Sequence, residues 1–207
     1  MGLFVTFEGC EGCGKSYQSK ELYLRLLAEN IPAVLTHEPG GTELGENITK
    51  WLKWRKEYML TPTGELLLFC ASRNQLCNEI IMPALSENKV VVCDRFYDST
   101  IAYQGYGRGL NLDSIKQINE LATGGLKPKL TILLDIPAAC GLARKNKEYQ
   151  DRFETEELLF HEQVQQGYLQ LALNEPQRFF VVDATLPQNT IASIIWQKIN
   201  SLLTEWE

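Results

Sequence analysis

The nine residues EGCEGCGKS, from Glu8 to Ser16, carry two chemical signals on the same letters. Cys10 and Cys13 stand in the C-x-x-C spacing of redox pairs and zinc half-sites. Gly9, Gly14, Lys15 and Ser16 complete the G-x-x-x-x-G-K-S spacing of a phosphate-binding loop. A structural zinc site wants about four Cys or His ligands. The other cysteines, Cys70, Cys77, Cys93 and Cys140, are scattered without a second C-x-x-C, and the chain holds 2 histidines. The phosphate signal is full length and the metal signal is not. A redox pair stays open beside it.

A polyphosphate needs dense donors and close backbone approach. Glycines at 9, 12 and 14 let the chain curl with its N–H groups inward, and a helix N-terminus adds a favourable dipole. Lys15 can reach the β- and γ-phosphates, and the Ser16 hydroxyl suits Mg²⁺. Asp94 ends the apolar run of KVVVCD and suits the same ion, directly or through water; otherwise it is a cap or loop aspartate. Arg73 follows Phe69 by four residues on a predicted helix, so both project from one face. A ring beside a guanidinium can grip a nucleobase and a phosphate, the alternative being a core Phe and a solvated Arg. Arg144 and Arg152 bracket a lysine-bearing stretch. It reads either as a closing lid whose arginines neutralise charge or as an exposed charged helix end.

The elements that must position these groups alternate. LFVTFE reads as a buried strand, and a helix follows with Leu22, Leu26 and Leu27 on one face. AVLTHE, KVVVCDRF, KLTILLDI and RFFVVDA supply further strands, and KVVVC is apolar on both faces, as in a parallel sheet. Helices are predicted over 45–58, over 62–88 with a stripe of Leu66, Phe69, Leu76, Ile80 and Leu85, over 113–123, up to about Asn174, and from Pro187 to Trp206. Residues 97–111 read as a polar segment. The expected fold is α/β, a five-stranded parallel sheet flanked by helices, with ligands at the strand ends. At 207 residues, one domain is expected, with a short mobile lid insertion at about 144–155. The net charge of −6 argues against a general nucleic-acid binder. No apolar run is long enough to span a membrane, and Leu3–Phe7 is too short for an export signal. Six cysteines in that setting point to free thiols in a reducing cytosol, hence a cytoplasmic protein.

From about residue 3 to 205 the chain resembles the thymidylate kinase (dTMP kinase) family. The matching segments, in order, are FEGCEGCGKS, EPGGT, LLFCASRNQL, DRFYDSTIAYQGYGRG, LLDIPAACGLAR, DRFE and VVDA. DRFYDSTIAYQG discriminates most, because other phosphate-loop kinases lack it. The resemblance implies a P-loop kinase fold and transfer of the γ-phosphoryl of ATP to dTMP, giving dTDP and ADP for dTTP synthesis. It implies Mg²⁺ with ATP, held through Ser16 and Asp94, and a homodimer. ATP would lie on Gly9, Cys10, Glu11, Gly12, Cys13, Gly14, Lys15 and Ser16, with Arg144 near its adenine and phosphates. Phe69 would stack on thymine, Arg73 would contact base and acceptor phosphate, and Arg95 would hold that phosphate. Thr100 would bond the base edge. Tyr103 would lie against the sugar 2′ carbon, with Gln104 nearby. Glu11 would sit by the acceptor's 3′-hydroxyl region, and Arg152 would be the lid arginine. Lys15, Arg95, Arg152 and Glu11 are thus the implied catalytic set.

The position after the loop acid is Gly12, where some relatives carry Arg. Arg144, Lys145, Lys147 and Arg152 in the lid would compensate, which is the bacterial-type arrangement. His37 stands where the family often has Arg, and Lys129 where it usually has Asp. Trp51, Trp54 and Tyr58 have no family counterpart and read as packing or a subunit contact. Another nucleoside or nucleotide kinase is the nearest alternative, and a nucleotide-dependent switch the next. Cys10 and Cys13, at a helix N-terminus beside Lys15, are expected either to have lowered thiol pKa values and switch activity on oxidation, or to be small fillers.

Overall fold

A computed structural model describes residues 2–55, 57–145 and 150–204. β1 (Leu3–Glu8) is buried along its whole length. The glycine loop follows, then α1 (Lys15–Ala28), β2 (Ala33–His37) and α2 (Glu43–Thr49), which Thr42 starts by accepting from Gly45 N at 3.0 Å. α2 widens into a π turn, Lys50–Trp54. Thr61 and Pro62 open α3 (Pro62–Leu76), which runs through a second π turn, Cys77–Ile81, into α4 (Met82–Ser86). β3 (Val90–Asp94) leads to α5 (Tyr97–Thr100), and a third π turn, Ile101–Gly107, extends it. α6 (Leu112–Thr123), β4 (Leu130–Asp135), α7 (Ala138–Ala143), α8 (Leu158–Asn174), β5 (Phe179–Asp183) and α9 (Gln188–Thr204) complete the order.

The five strands form one parallel sheet in the order β2-β3-β1-β4-β5. Alternate residues of β1 feed opposite layers. Leu3, Val5 and Phe7 pack with Leu22 and Leu26 of α1 and with Ile191, Ile195 and Ile199 of α9. Phe4 packs on the other face with Leu76, Ile81 and Phe96. α3, α6 and α8 cover the rest of that face around Leu133, Tyr103 and Tyr168. The chain leaves β1 towards β2 and leaves β3 towards β4, in opposite directions across the sheet. A crevice therefore opens beyond the carboxyl ends of β1 and β3, where the glycine loop and Asp94-Arg95 both lie.

Three local expectations change. Residues 97–107 are helical, and Ile101, Ala102, Tyr103 and Gln104 are buried there. Their polar letters face an internal network instead of solvent. Within 62–88, the π turn adds a residue to the helical repeat, so the buried positions become Ile81 and Ala84, with Ile80 and Leu85 only partly covered. Leu27 is 43% exposed while Leu26 is fully buried, so the apolar face of α1 is narrower than its leucines suggest.

Candidate active site

The phosphate loop folds back on its own lysine. Lys15 Nζ donates to Gly9 O at 2.9 Å and Cys10 O at 2.7 Å, with Cys13 Sγ at 3.4 Å. Ser16 Oγ donates to Asp94 Oδ2 at 2.5 Å, which links the first turn of α1 to the end of β3. The other oxygen, Asp94 Oδ1, is buried with no hydrogen-bond partner among the described residues. Gly12 has φ +70°, and a Cβ there would lie 1.9 Å from Gly141 O; a Cβ on Gly141 would lie 2.2 Å from Glu11 O. The loop and α7 thus touch backbone to backbone.

The two loop thiols, Cys10 and Cys13, are unpaired and lie inside the fold. Burial pushes the Cys10 thiol up to about 12 against the opposing pull of Lys15. This reverses the lowered pKa expected for Cys10 at a helix N-terminus. Desolvation outweighs the dipole, because the side chain points into the core, with Sγ 4.0 Å from His161 O. For Cys10 the geometry is that of a small filler.

Arg95 occupies the left-handed region at φ +70° and gathers partners from four parts of the chain. Its Nη1 donates to Gly9 O at 3.2 Å, Ser99 Oγ at 3.1 Å and Tyr168 OH at 3.2 Å. Its Nη2 donates to Glu11 Oε1 at 2.8 Å and Tyr103 OH at 3.2 Å. Tyr103 OH also donates to Glu11 Oε1 at 2.9 Å. Burial works to raise the Glu11 pKa, but the charges of Arg95, Lys15 and Lys53 hold it well below the usual carboxylate range.

Behind Arg95 lies Glu8. It accepts from Phe96 N at 2.7 Å, Ser99 Oγ at 2.6 Å and Tyr168 OH at 2.9 Å. Burial and the nearby Asp98 charge push it up to about 7, against the pull of Arg95. Sequence reasoning missed Glu8 as a site residue. Its signal was a carboxylate closing an apolar strand just before a glycine loop. Tyr168 carries no such signal, since it reaches the site from α8.

Arg73 is 1% exposed, which corrects the reading of a solvated arginine. Its Nε donates to Glu38 Oε2 at 2.8 Å, Nη1 to Asn119 Oδ1 at 2.6 Å and Nη2 to Thr100 Oγ1 at 2.7 Å. Burial raises the Glu38 pKa to about 7 despite Arg73. Arg73 therefore stands behind Thr100, which lines a small cavity of about 30 Å³, and does not itself reach that cavity as the sequence reading expected. Phe69, Thr100, Tyr103 and Gln104 line that cavity together with Arg95 and Glu11. Gln104 Nε2 donates to Glu65 Oε1 at 2.8 Å. Phe153 closes it, its ring centroid 5.8 Å from Phe69 and 6.0 Å from Tyr103.

A larger cavity of about 1110 Å³ opens beside it, lined by Gly12–Ser16, Asp94 and Arg144 and, further out, by Leu186 and Pro187. Arg144 Nη1 donates to Ala184 O at 3.1 Å and approaches Gly12 O at 3.5 Å. Residues 151–154 of the predicted lid pack down instead of forming an exposed helix end. Asp151, Phe153 and Glu154 are buried, and Lys145 Nζ pairs with Glu154 Oε1 at 2.7 Å. Lys147 lies outside the described residues. Arg152 is not brought to the phosphate loop; its Nη2 donates to Arg55 O at 2.7 Å and Tyr58 O at 2.9 Å. His37 Nε2 lies 3.0 Å from Glu46 Oε1. Trp51 and Tyr58 touch at 5.1 Å between ring centroids, and both are about half exposed.

Comparison with known proteins agrees with this geometry. The family described as thymidylate kinase matches residues 7–195. A thymidylate kinase of Dehalococcoides mccartyi (strain ATCC BAA-2100) is 53% identical over 98% of both chains. That of Deinococcus radiodurans is 46% identical over 97% of both. The crystal structure of thymidylate kinase from Ehrlichia chaffeensis superposes with a TM-score of 0.80 at 33% identity, covering 96% of this chain and 98% of that one. By sequence match and by superposition alike, this chain belongs to the thymidylate kinase family.

Proposed function

We propose that the chain transfers the γ-phosphoryl of ATP to dTMP, giving dTDP and ADP, as a single kinase domain with a lid at about 144–155. The observation that carries this reading is Arg95. One guanidinium touches the phosphate loop at Gly9 O and the acceptor-side carboxylate Glu11. It therefore stands where a donor in the larger cavity and an acceptor in the smaller one would meet.

The acceptor oxygen of a monophosphate is already ionised near neutral pH, so no strong general base is needed. What remains is charge neutralisation and alignment. Lys15 exchanges its loop carbonyls for the β- and γ-phosphates. Arg95 holds the acceptor phosphate, while Glu8, Ser99 and Tyr168 keep the guanidinium in place. Phe69 supplies the face for thymine. Thr100 accepts from Arg73 and so keeps its own hydroxyl proton to donate to the base edge. The Tyr103 ring excludes a 2′-hydroxyl, and Gln104 borders the base from the floor of the pocket. Arg144 faces the adenine side. Arg152 acts on the lid side, after releasing the carbonyls of Arg55 and Tyr58.

The residues present fit Mg²⁺. A hydroxyl and a carboxylate with a buried, unpartnered oxygen suit an ion that takes most of its other ligands from substrate and water. Ser16 and Asp94 would hold it, and it would supply neutralisation of the phosphate charge during transfer. Among the described residues, no helix is long and apolar enough to cross a membrane. A cytoplasmic homodimer follows from the family reading. The deciding assay measures phosphoryl transfer from ATP with Mg²⁺ to dTMP, dUMP, thymidine and water. Preference for dTMP supports the proposal. Preference for thymidine indicates a nucleoside kinase, and hydrolysis alone indicates a switch.

A further inference from the structure

The turn Lys50–Trp54 has no role in the site as described so far. It is π-helical, closed by Arg55 N donating to Lys50 O at 3.1 Å. Such turns are rare and often mark functional positions, because the extra residue re-aims its neighbours. Here Leu52 is fully buried, and Lys53 is turned towards the junction of the two cavities. Lys53 lines both, as do Glu11, Arg95 and Asp151.

The other cations near this junction are held more firmly. Arg95 is bound to Glu11 at 2.8 Å, and Lys145 pairs with Glu154 at 2.7 Å. Among the described residues, Lys53 Nζ makes a long ion pair with Asp151 Oδ2, at 3.6 Å, and its side chain is 31% exposed. A contact of that length and exposure is weak and easily exchanged. Asp151 does not depend on it for its own position. Its Oδ1 accepts from Phe153 N at 2.9 Å and Glu154 N at 3.0 Å.

We propose that Lys53 is a substrate-binding residue, which leaves Asp151 to bind the phosphate of the acceptor nucleotide as a second cation beside Arg95. This rests on the dTMP kinase reading above and adds a residue to it. The backbone ties the same lysine to the segment that closes the pocket. Arg152 N donates to Lys53 O at 3.1 Å, and Phe153 lies next in sequence. Phosphate capture by Lys53 and seating of Phe153 over the base are therefore mechanically joined.

The test compares Lys53→Met, Lys53→Arg and Asp151→Asn with the wild-type enzyme. Binding of dTMP is followed by tryptophan fluorescence, since Trp54 adjoins Lys53, and by steady-state kinetics. Lys53→Met is expected to raise Kd and KM for dTMP roughly tenfold while KM for ATP stays within about twofold; Lys53→Arg recovers most of the loss. Asp151→Asn keeps the Oδ1 acceptor but removes the competing charge, and is expected to tighten dTMP up to about fivefold. The proposal is overturned if Lys53→Met matches the wild type for dTMP, if KM for ATP rises as much as KM for dTMP, or if Asp151→Asn binds dTMP no better. A wild-type enzyme without dTMP-dependent turnover would instead defeat the kinase reading, and this inference with it.

Discussion

On the donor side of the cleft, Lys15 rests on the backbone carbonyls of Gly9 and Cys10 and Arg144 on that of Ala184, while Lys145 at the rim pairs with Glu154. On the acceptor side arginines rest on carboxylates: Arg95 on Glu11 and, behind Thr100, Arg73 on Glu38. The spaces differ in the same sense, about 1110 Å³ against about 30 Å³. A carbonyl gives up an ammonium to an arriving phosphate at little cost. A buried carboxylate does not give up its arginine, because the charge left behind is unpaired. The donor side is therefore adaptable. The acceptor side is held by buried ion pairs around a space of about 30 Å³ that Phe69, Thr100 and Phe153 line.

The sharpest test of this contrast is Arg95→Ala. It should lower kcat/KM for dTMP by about 10³–10⁴-fold, equivalent to about 4–5.5 kcal/mol, while ATP affinity measured by calorimetry stays nearly intact. Equal loss of ATP binding would mean that the two sides are not separate. Stability should divide in the same way. Arg73→Met strands Glu38 and should cost about 3 kcal/mol in denaturant unfolding, whereas Lys15→Met, which frees only carbonyls, should cost under about 1 kcal/mol.

A smaller effect is expected from pH. Glu8 and Glu38 are raised to about 7 from an unfolded value of 4.5. Between these values the folded chain holds more protons than the unfolded one, so stability falls as pH rises from 4.5 to 7. The loss should be on the order of 1–3 kcal/mol between pH 5 and pH 8, and Glu8→Gln should flatten part of it. Glu11 has the opposite sign and acts only in acid, where its contribution disappears as pH falls through its lowered pKa. The smallest effect concerns the thiols. Among the 6 cysteines only Cys140 is exposed, so iodoacetamide followed by mass mapping should label Cys140 and spare Cys10 and Cys13 in the native protein.

The elements that carry unbroken apolar runs are legible in the sequence, because burial on both faces leaves a mark in the letters. β1 and β3 are the clearest examples. The phosphate loop was legible for a related reason, since glycine spacing reports backbone geometry directly. The acceptor wall was not. YDSTIAYQGYG reads as a polar loop, and it becomes a buried helix only because Glu8, Glu65, Arg95 and Tyr168, up to 160 residues apart, satisfy one another inside. No local pattern encodes such a network. The same holds for Arg73, whose partners Glu38, Thr100 and Asn119 come from three separate segments.

The contact between Gly12 and Gly141 also limits how this lineage could change. With main chain against main chain at that point, an arginine could not simply be grafted onto the loop after Glu11. It would collide with α7, and a compensating change at 141 has no smaller residue to offer. A side chain at position 12 would therefore require α7 itself to shift, so a single substitution there carries a backbone cost as well as a change of charge.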